Sequence, residues 1–304
     1  MDKNQIIPYF LEDMLKEQYG EKTTKRIIEG YSQRRVISFR VNNLKNNYKK
    51  IEEVLNEKNI KFEKIIWSKD AFIVKDVSQN VIEELDIYKN GEIYIQSLSS
   101  MLPPIILDPK EGEDILDMTA APGGKTTQMA SMTNNKANIT ACEMNSIRAE
   151  RLKYNIEKQG ASRVFCLVKD SRKLEDFFSF DKILLDAPCS GSGTLSIYDN
   201  KTEKYFTEKL IEKSIRAQSS LLRKATKLIK IGKELVYSTC SILDVENENI
   251  VNEILKDNNF EIVPIKFDGM EDLPLLSTKI KGTLCIMPNE LYEGFFVAKI
   301  RRIK

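Results

Sequence analysis

Asp114-Ile115-Leu116-Asp117-Met118-Thr119-Ala120-Ala121-Pro122-Gly123-Gly124-Lys125-Thr126-Thr127 is the stretch on which the fold turns. Its front is a short apolar run that predicts a strand over 114–118, and its end predicts a helix over 124–132. A turn of small residues between a strand and a helix lets backbone approach a ligand at the carboxyl edge of a sheet. A P-loop would require glycine where Thr119 stands, ahead of Gly124-Lys125-Thr126. The G-x-G-x-x-G order of a dinucleotide fingerprint is absent. S-adenosylmethionine is the third reading. That ligand has no phosphate, so it calls for a tight turn beside its methionine part and a carboxylate for its ribose hydroxyls.

Outward from this turn the chain alternates. Strands are predicted over 138–142, 164–168, 182–185 and 234–239, and helices over 145–159 and 208–230. Ala149, Leu152 and Ile156 form one apolar helical face, and Gly160 is placed to end that helix. Asp244 reads as the N-cap of a further helix over 245–257. Such alternation predicts an α/β fold, a doubly wound, mostly parallel Rossmann-like sheet with helices on both faces. The tail differs: 260–265, 282–287 and 294–300 are strand-like, and the last two read as an antiparallel hairpin at the sheet edge. Upstream, helices over 3–31 and 48–58 and strands over 35–41, 60–66, 71–75 and 91–96 predict a small α+β unit. Pro103-Pro104 is expected to interrupt the helical pattern after Gln96. The chain therefore divides into residues 1–96 and residues 97–304.

Carboxylates gather at one edge of the predicted sheet. Glu143 follows the strand over 138–142, roughly 20 residues past the glycines, where an acid meets a ribose in nucleotide-binding folds. Asp170 and Asp186 end the next two strands. One such acid is commonly a cap or a solvated turn. Three in register beside a small-residue turn point to one ligand crossing the strand ends.

The 304 residues include no histidine. That excludes Ser-His-Asp hydrolases, Cys-His proteases and His-ligated zinc sites. The five cysteines, at 142, 166, 189, 240 and 285, form no C-x-x-C pair, so neither a metal site nor a disulfide framework is expected. The first residues lack a secretory signal, and no stretch approaches the ~18 apolar residues of a membrane span. A cytoplasmic monomer is the expectation. Net charge is only +2, but residues 1–50 carry 11 basic side chains against 6 acidic ones. That front end suits an anionic partner, although a solvated helical surface would look the same.

Cys142, Cys166 and Cys285 sit inside strand patterns and read as small buried hydrophobes. Cys189 and Cys240 do not. They lie in Asp186-Ala187-Pro188-Cys189-Ser190-Gly191-Ser192-Gly193 and Tyr237-Ser238-Thr239-Cys240-Ser241, past the carboxyl ends of strands that should be neighbours. With Ala120-Ala121-Pro122-Gly123-Gly124-Lys125-Thr126, Phe39-Arg40-Val41-Asn42, Glu246-Asn247-Glu248 and Gly294-Phe295-Phe296-Val297-Ala298, these loops resemble the Sun/RsmB/RsmF-type RNA cytosine-5 methyltransferases. The resemblance runs over most of the chain.

The resemblance implies S-adenosylmethionine as cofactor, rRNA or tRNA as partner, and 5-methylcytosine as product. It implies Cys240 as the nucleophile at cytosine C6, Cys189 as the group assisting proton loss and release, and Asp186 as the holder of the base. Ala120, Ala121, Pro122, Gly123, Gly124, Lys125, Glu143, Arg148, Asp170 and Asp186 would hold the cofactor. A helix starting near Asp244 is a candidate for lowering the thiol pKa. Tyr9, Tyr31, Phe39 and Tyr48 read as core aromatics before base-stacking ones. Two departures concern substrate docking: 194–200 lacks an Arg/Lys-Pro run, and Asn289-Glu290 stands where a histidine is usual after Pro288. A non-catalytic RNA-binding factor would not need both cysteines, Asp186 and the glycine turn intact.

Overall fold

The structure, a computed structural model, describes residues 7–198 and 206–304. Residues 3–6 of the expected first helix, and Asp199-Asn200 of the segment after the first cysteine loop, lie outside the described residues. The front of the chain runs α1 (Tyr9–Tyr31), β1 (Ile37–Val41), α2 (Tyr48–Glu57), β2 (Phe62–Ile65), β3 (Ser68–Val74), α3 (Gln79–Glu84), α4 (Asp86–Lys89) and β4 (Ile93–Ile95). Its strands form an antiparallel sheet in the order β2-β3-β1-β4. Phe39, Val41, Phe72, Ile51 and Leu55 close a core of their own between that sheet and α2.

The remainder runs α5 (Leu98–Leu107), β5 (Asp114–Asp117), α6 (Gly124–Met132), β6 (Asn138–Cys142), α7 (Ser146–Gln159), β7 (Val164–Leu167), β8 (Phe180–Asp186), α8 (Glu208–Leu228), β9 (Ile229–Thr239), α9 (Glu248–Leu255), β10 (Phe260–Ile262), β11 (Leu275–Leu276), β12 (Leu284–Ile286) and β13 (Phe295–Arg302). The large sheet has the order β11-β12-β13-β9-β8-β5-β6-β7, with β10 added to β13. Strands β9, β8, β5, β6 and β7 are parallel. The chain winds from β5 outward to β7, then returns to β8 on the other side. That reversal opens a cleft beyond the carboxyl ends of β5 and β8. Ile183, Leu184 and Leu185 of β8 are fully buried, as a parallel strand covered on both faces must be. β12 and β13 form the expected antiparallel hairpin, and β13 docks antiparallel on β9.

Local expectations need correction in three places. Pro103 and Pro104 lie inside α5 and do not break it. Each removes a helical N–H, and side chains from outside the helix use the carbonyls near the gap: Gln96 Nε2 donates to Ser100 O at 3.0 Å and Gln128 Nε2 to Met101 O at 2.9 Å. Asp244 is not an N-cap, because α9 starts only at Glu248 and the Asp244 carboxylate pairs with Lys279. The helix dipole proposed for the thiol therefore begins farther along the chain. Third, α1 comes before the small sheet in sequence, yet Leu11, Leu15, Ile27 and Tyr31 are buried in the core of the large sheet. Its hydroxyls lock it there: Tyr31 Oη donates to Ser192 O and Tyr19 Oη to Ile242 O, each at 2.6 Å.

Midway along β9, Glu234 joins three cations: Lys182 Nζ at 2.9 Å, Lys299 Nζ at 3.0 Å and Arg301 Nη2 at 2.8 Å. Burial pushes its carboxyl up, but hydrogen bonds from Lys182, Arg301 and Lys299 outweigh burial and hold it at about 2, against its ordinary 4.5. A depressed carboxyl stabilises the fold above the unfolded value and loses that contribution as pH falls toward the folded one. Glu234→Gln is expected to lower the thermal midpoint at pH 7 and to flatten its fall between about pH 4.5 and 2. Calorimetric melts across that range would read both effects.

Candidate active site

The turn after β5 is built from both sides. Gly123 has φ 109°, a conformation that favours glycine, and a Cβ there would press on Leu152 Cδ1 at 3.0 Å. From α7, Arg148 Nη2 donates to Ala121 O and Asn155 Nδ2 to Pro122 O, each at 2.8 Å. From the small sheet, Arg40, only 3% exposed, donates through Nη2 to Gly124 O at 2.9 Å and to Thr127 Oγ1 at 2.7 Å. The front unit thereby pins the loop of the large one. Beneath the turn Asp117 accepts from Thr126 Oγ1 at 2.7 Å. Burial pushes its carboxyl up to about 6.

Two cavities open at the carboxyl ends of the strands. The first, about 310 Å³, is lined by Met118, Glu143, Met144, Arg148, Asp170, Leu221 and Cys189. Glu143 is 4% exposed; its Oε1 accepts the Asn145 N–H at 2.8 Å and its Oε2 lies 3.5 Å from Arg148 Nη1. Asp170 is gripped by Arg172, whose guanidinium holds it below the usual carboxylate range. The second cavity, about 390 Å³, is lined by Tyr94, Gln96, Ala120, Pro122, Gly124, Lys125, Glu293 and Phe295. Thr119, Ala121, Asp186 and Cys240 line both.

Asp186 is held at this partition by Lys125 Nζ at 2.6 Å and Ser238 Oγ at 2.8 Å. The same lysine donates to Ser100 Oγ at 2.7 Å and lies 5.6 Å from the centre of the Phe295 ring. The sulfurs of Cys189 and Cys240 are 3.2 Å apart, and both thiols are free. The hydrogen bond between the sulfurs and then burial push Cys189 well above the usual thiol range. Either sulfur can be the donor in this contact.

Residues 104–301 match the sequence model of the family described as 16S rRNA methyltransferase RsmB/F, and residues 7–79 match that of its ferredoxin-like domain. The chain belongs to the RsmB/F family. It is 36% identical to the tRNA (cytosine(49)-C(5))-methyltransferase of Pyrococcus abyssi, over 87% of this chain and 88% of that protein. It is 37% identical to the ribosomal RNA small subunit methyltransferase F of Shewanella loihica, over 88% of this chain but only 56% of that longer protein. The crystal structure of a methyltransferase homolog protein from Pyrococcus horikoshii superposes with a TM-score of 0.81 at 33% identity, covering 97% of this chain and all of that one.

Within this RsmB/F fold, the residues expected to hold the cofactor divide: Ala121, Glu143, Arg148, Asp170 and Asp186 line the first cavity, whereas Ala120, Pro122, Gly124 and Lys125 line only the second. Gly123 is the exception: it lines neither cavity and shapes the turn from behind. Cys142 and Cys285 are buried and Cys166 is half-buried, and Cys142 also lines the first cavity. Tyr31 and Phe39 are core residues, Tyr48 is half-buried and Tyr9 is exposed. Asn289 holds a turn, its Oδ1 accepting from Leu291 N and Tyr292 N. Sequence reasoning missed Arg40, Ser100 and Ser238 as supports, because nothing local marks a residue whose partner lies in another element.

The two cysteine loops also depend on a backbone crossing. Gly193 N donates to Cys240 O at 2.9 Å, Gly294 N donates to Gly193 O at 2.8 Å, and a Cβ on Gly193 would meet Gly294 O at 2.0 Å. Gly193→Ala must push the Cys189 loop away from Gly294 and strain its hydrogen bond to Cys240 O, at a cost of about 1–3 kcal/mol. The expected results are a lower thermal midpoint and slower oxidative cross-linking of Cys189 to Cys240 by copper phenanthroline, followed by mass spectrometry.

Proposed function

We propose that this protein is an S-adenosylmethionine-dependent RNA methyltransferase that forms 5-methylcytosine in rRNA or tRNA. The observation that carries the reading is the partition: Cys240 and Asp186 line both cavities at once, with Cys189 3.2 Å behind Cys240. A nucleophile and a base-holding carboxylate at that point face a cofactor on one side and a nucleotide on the other. The names of the relatives agree, since they are methyltransferases of tRNA cytosine and of ribosomal RNA.

The first cavity suits the cofactor chemically. Glu143 Oε2 is an acceptor for a ribose hydroxyl, Met118, Met144 and Leu221 offer apolar surface to an adenine ring, and Ala121 O and Thr119 border the methionine end. When bound, the cofactor supplies an electrophilic methyl group on a sulfonium. Asp186 accepts from the cytosine amino group, and Lys125 holds that carboxylate in place. Cys240 adds as thiolate to C6, which makes C5 electron-rich. In the later elimination Cys189, as thiolate, takes the proton from C5, the C5–C6 double bond re-forms and the Cys240 sulfur departs as thiolate. The base leaves its stack to reach this partition, and lysines and arginines supply most of the RNA affinity through phosphates.

Cys240→Ala is expected to abolish transfer of tritiated methyl to RNA from cells lacking the gene, while calorimetry still detects cofactor binding. Retained turnover would refute the assignment. Cys189→Ala is expected to accumulate a covalent protein–RNA adduct, seen as a slower band on a denaturing gel. Bisulfite sequencing of RNA from cells with and without the gene would name the RNA and its cytosine.

A further inference from the structure

We propose that Glu293 is a specificity-determining residue of the second cavity. Its free carboxylate oxygen accepts a hydrogen bond from the 2′-hydroxyl of the target nucleotide, and through that bond the site tells RNA from DNA. The proposal rests on the reading of this cavity as the place of the target cytidine.

Glu293 stands just before β13 and lines the second cavity together with Lys125, Asp186 and Cys240. Serines at the start of α5 hold it there. Ser97 Oγ donates to its Oε2 and Ser99 Oγ to its backbone O, each at 2.7 Å. Ser97 is the N-cap of α5, so the carboxylate also lies at the positive end of that helix. On the other side Gly294 N donates to Gly193 O at 2.8 Å, which fixes this corner of the chain against the Cys189 loop. One carboxylate oxygen is thus used inside the protein and the other is not. Among the described residues Glu293 Oε1 has no hydrogen-bond partner, and no lysine or arginine forms an ion pair with it. Burial lowers the Arg35 guanidinium and the Glu293 charge opposes that, but Arg35 bonds Gly193 O and Thr194 O and does not line the cavity.

The charge around the cavity decides which part of a nucleotide this oxygen meets. Among the described residues Asp117, Asp186 and Glu293 line it against one cation, Lys125, which already bonds Asp186. A phosphate brings only acceptors and negative charge, so it is disfavoured here, whereas a base and its sugar are not. Within a polynucleotide a cytidine has two strong hydrogen-bond donors, the 4-amino group and the 2′-hydroxyl. In the proposed reaction Asp186 takes the amino group. The 2′-hydroxyl is the donor that remains, and an ionised carboxylate is a strong acceptor for it. A deoxycytidine in the same place would strip water from Glu293 and return no bond, which is how a polar site rejects an analogue lacking one hydroxyl.

The test uses full-length protein and a synthetic RNA spanning the cytosine that bisulfite sequencing names. A second strand differs only by 2′-deoxycytidine at that position. Initial rates of tritiated methyl transfer give kcat/KM for each. Wild-type protein is expected to lose about tenfold on the deoxy strand. Glu293→Ala is expected to lose as much on the all-ribose strand and nothing further on the deoxy one, because both changes remove the same bond. Equal kcat/KM of wild type on the two strands would overturn the proposal, and that arm requires no variant to fold. A folded Glu293→Ala that still prefers ribose tenfold would overturn it as well, since sugar pucker and not Glu293 would then carry the preference. Absence of methyl transfer from wild type to RNA would refute the proposed function and this proposal with it. Transfer that ignores the 2′-hydroxyl would refute this proposal alone.

Discussion

The parallel pairing of β8 with β9, in the register that sets Asp186 opposite Ser238, is the constraint on which the site depends. It places the loop carrying Cys189 and the loop carrying Cys240 side by side at one sheet edge. It also lets Ser238 bond the Asp186 carboxylate across the strand pair. Side chains alternate along a strand, so a slip of one residue would turn Asp186 or Ser238 to the opposite face. The fully buried apolar residues Ile183–Leu185 and Leu235–Tyr237 oppose such a slip, because both faces of these strands are covered. The chemistry at the edge is thus positioned by packing beneath it.

Around that pair the protein arranges charge without imidazole. Carboxylates serve distinct ends because their surroundings differ. Glu234 is depressed by three cations and supports the base of the sheet, whereas Asp117, buried beside a hydroxyl, is raised to about 6. Asp186 is tied to Lys125, and Glu143 shares Arg148 with the backbone of the glycine turn. The front sheet takes part as well. Arg40 crosses from it to Gly124 and Thr127, so the small unit and the turn are held as one piece.

Much of this was legible in the residues. The small-residue turn, the acids at three strand ends and the alternation of strands with helices rest on local rules of spacing and periodicity, and all reappear in the sheet. The expectations that failed were also local, and they failed for tertiary reasons. Pro103 and Pro104 read as breakers because a sequence does not reveal that Gln96 and Gln128 will donate near the gap they leave. Asp244 reads as a cap, but Lys279, distant in sequence, takes its carboxylate. Helix α1 reads as part of the front unit, but its apolar side fits the larger core.

By itself the sequence determined the class of fold and the family, because those follow from residue type and short-range spacing. Only the tertiary structure decided that two thiols 51 positions apart lie 3.2 Å from each other, that Cys240 and Asp186 form the wall between two cavities, and that Glu246 ties the loops together. Those facts are distances between strand ends and loops far apart in the chain. They exist only once the register of the sheet and the packing of helices against it have been chosen.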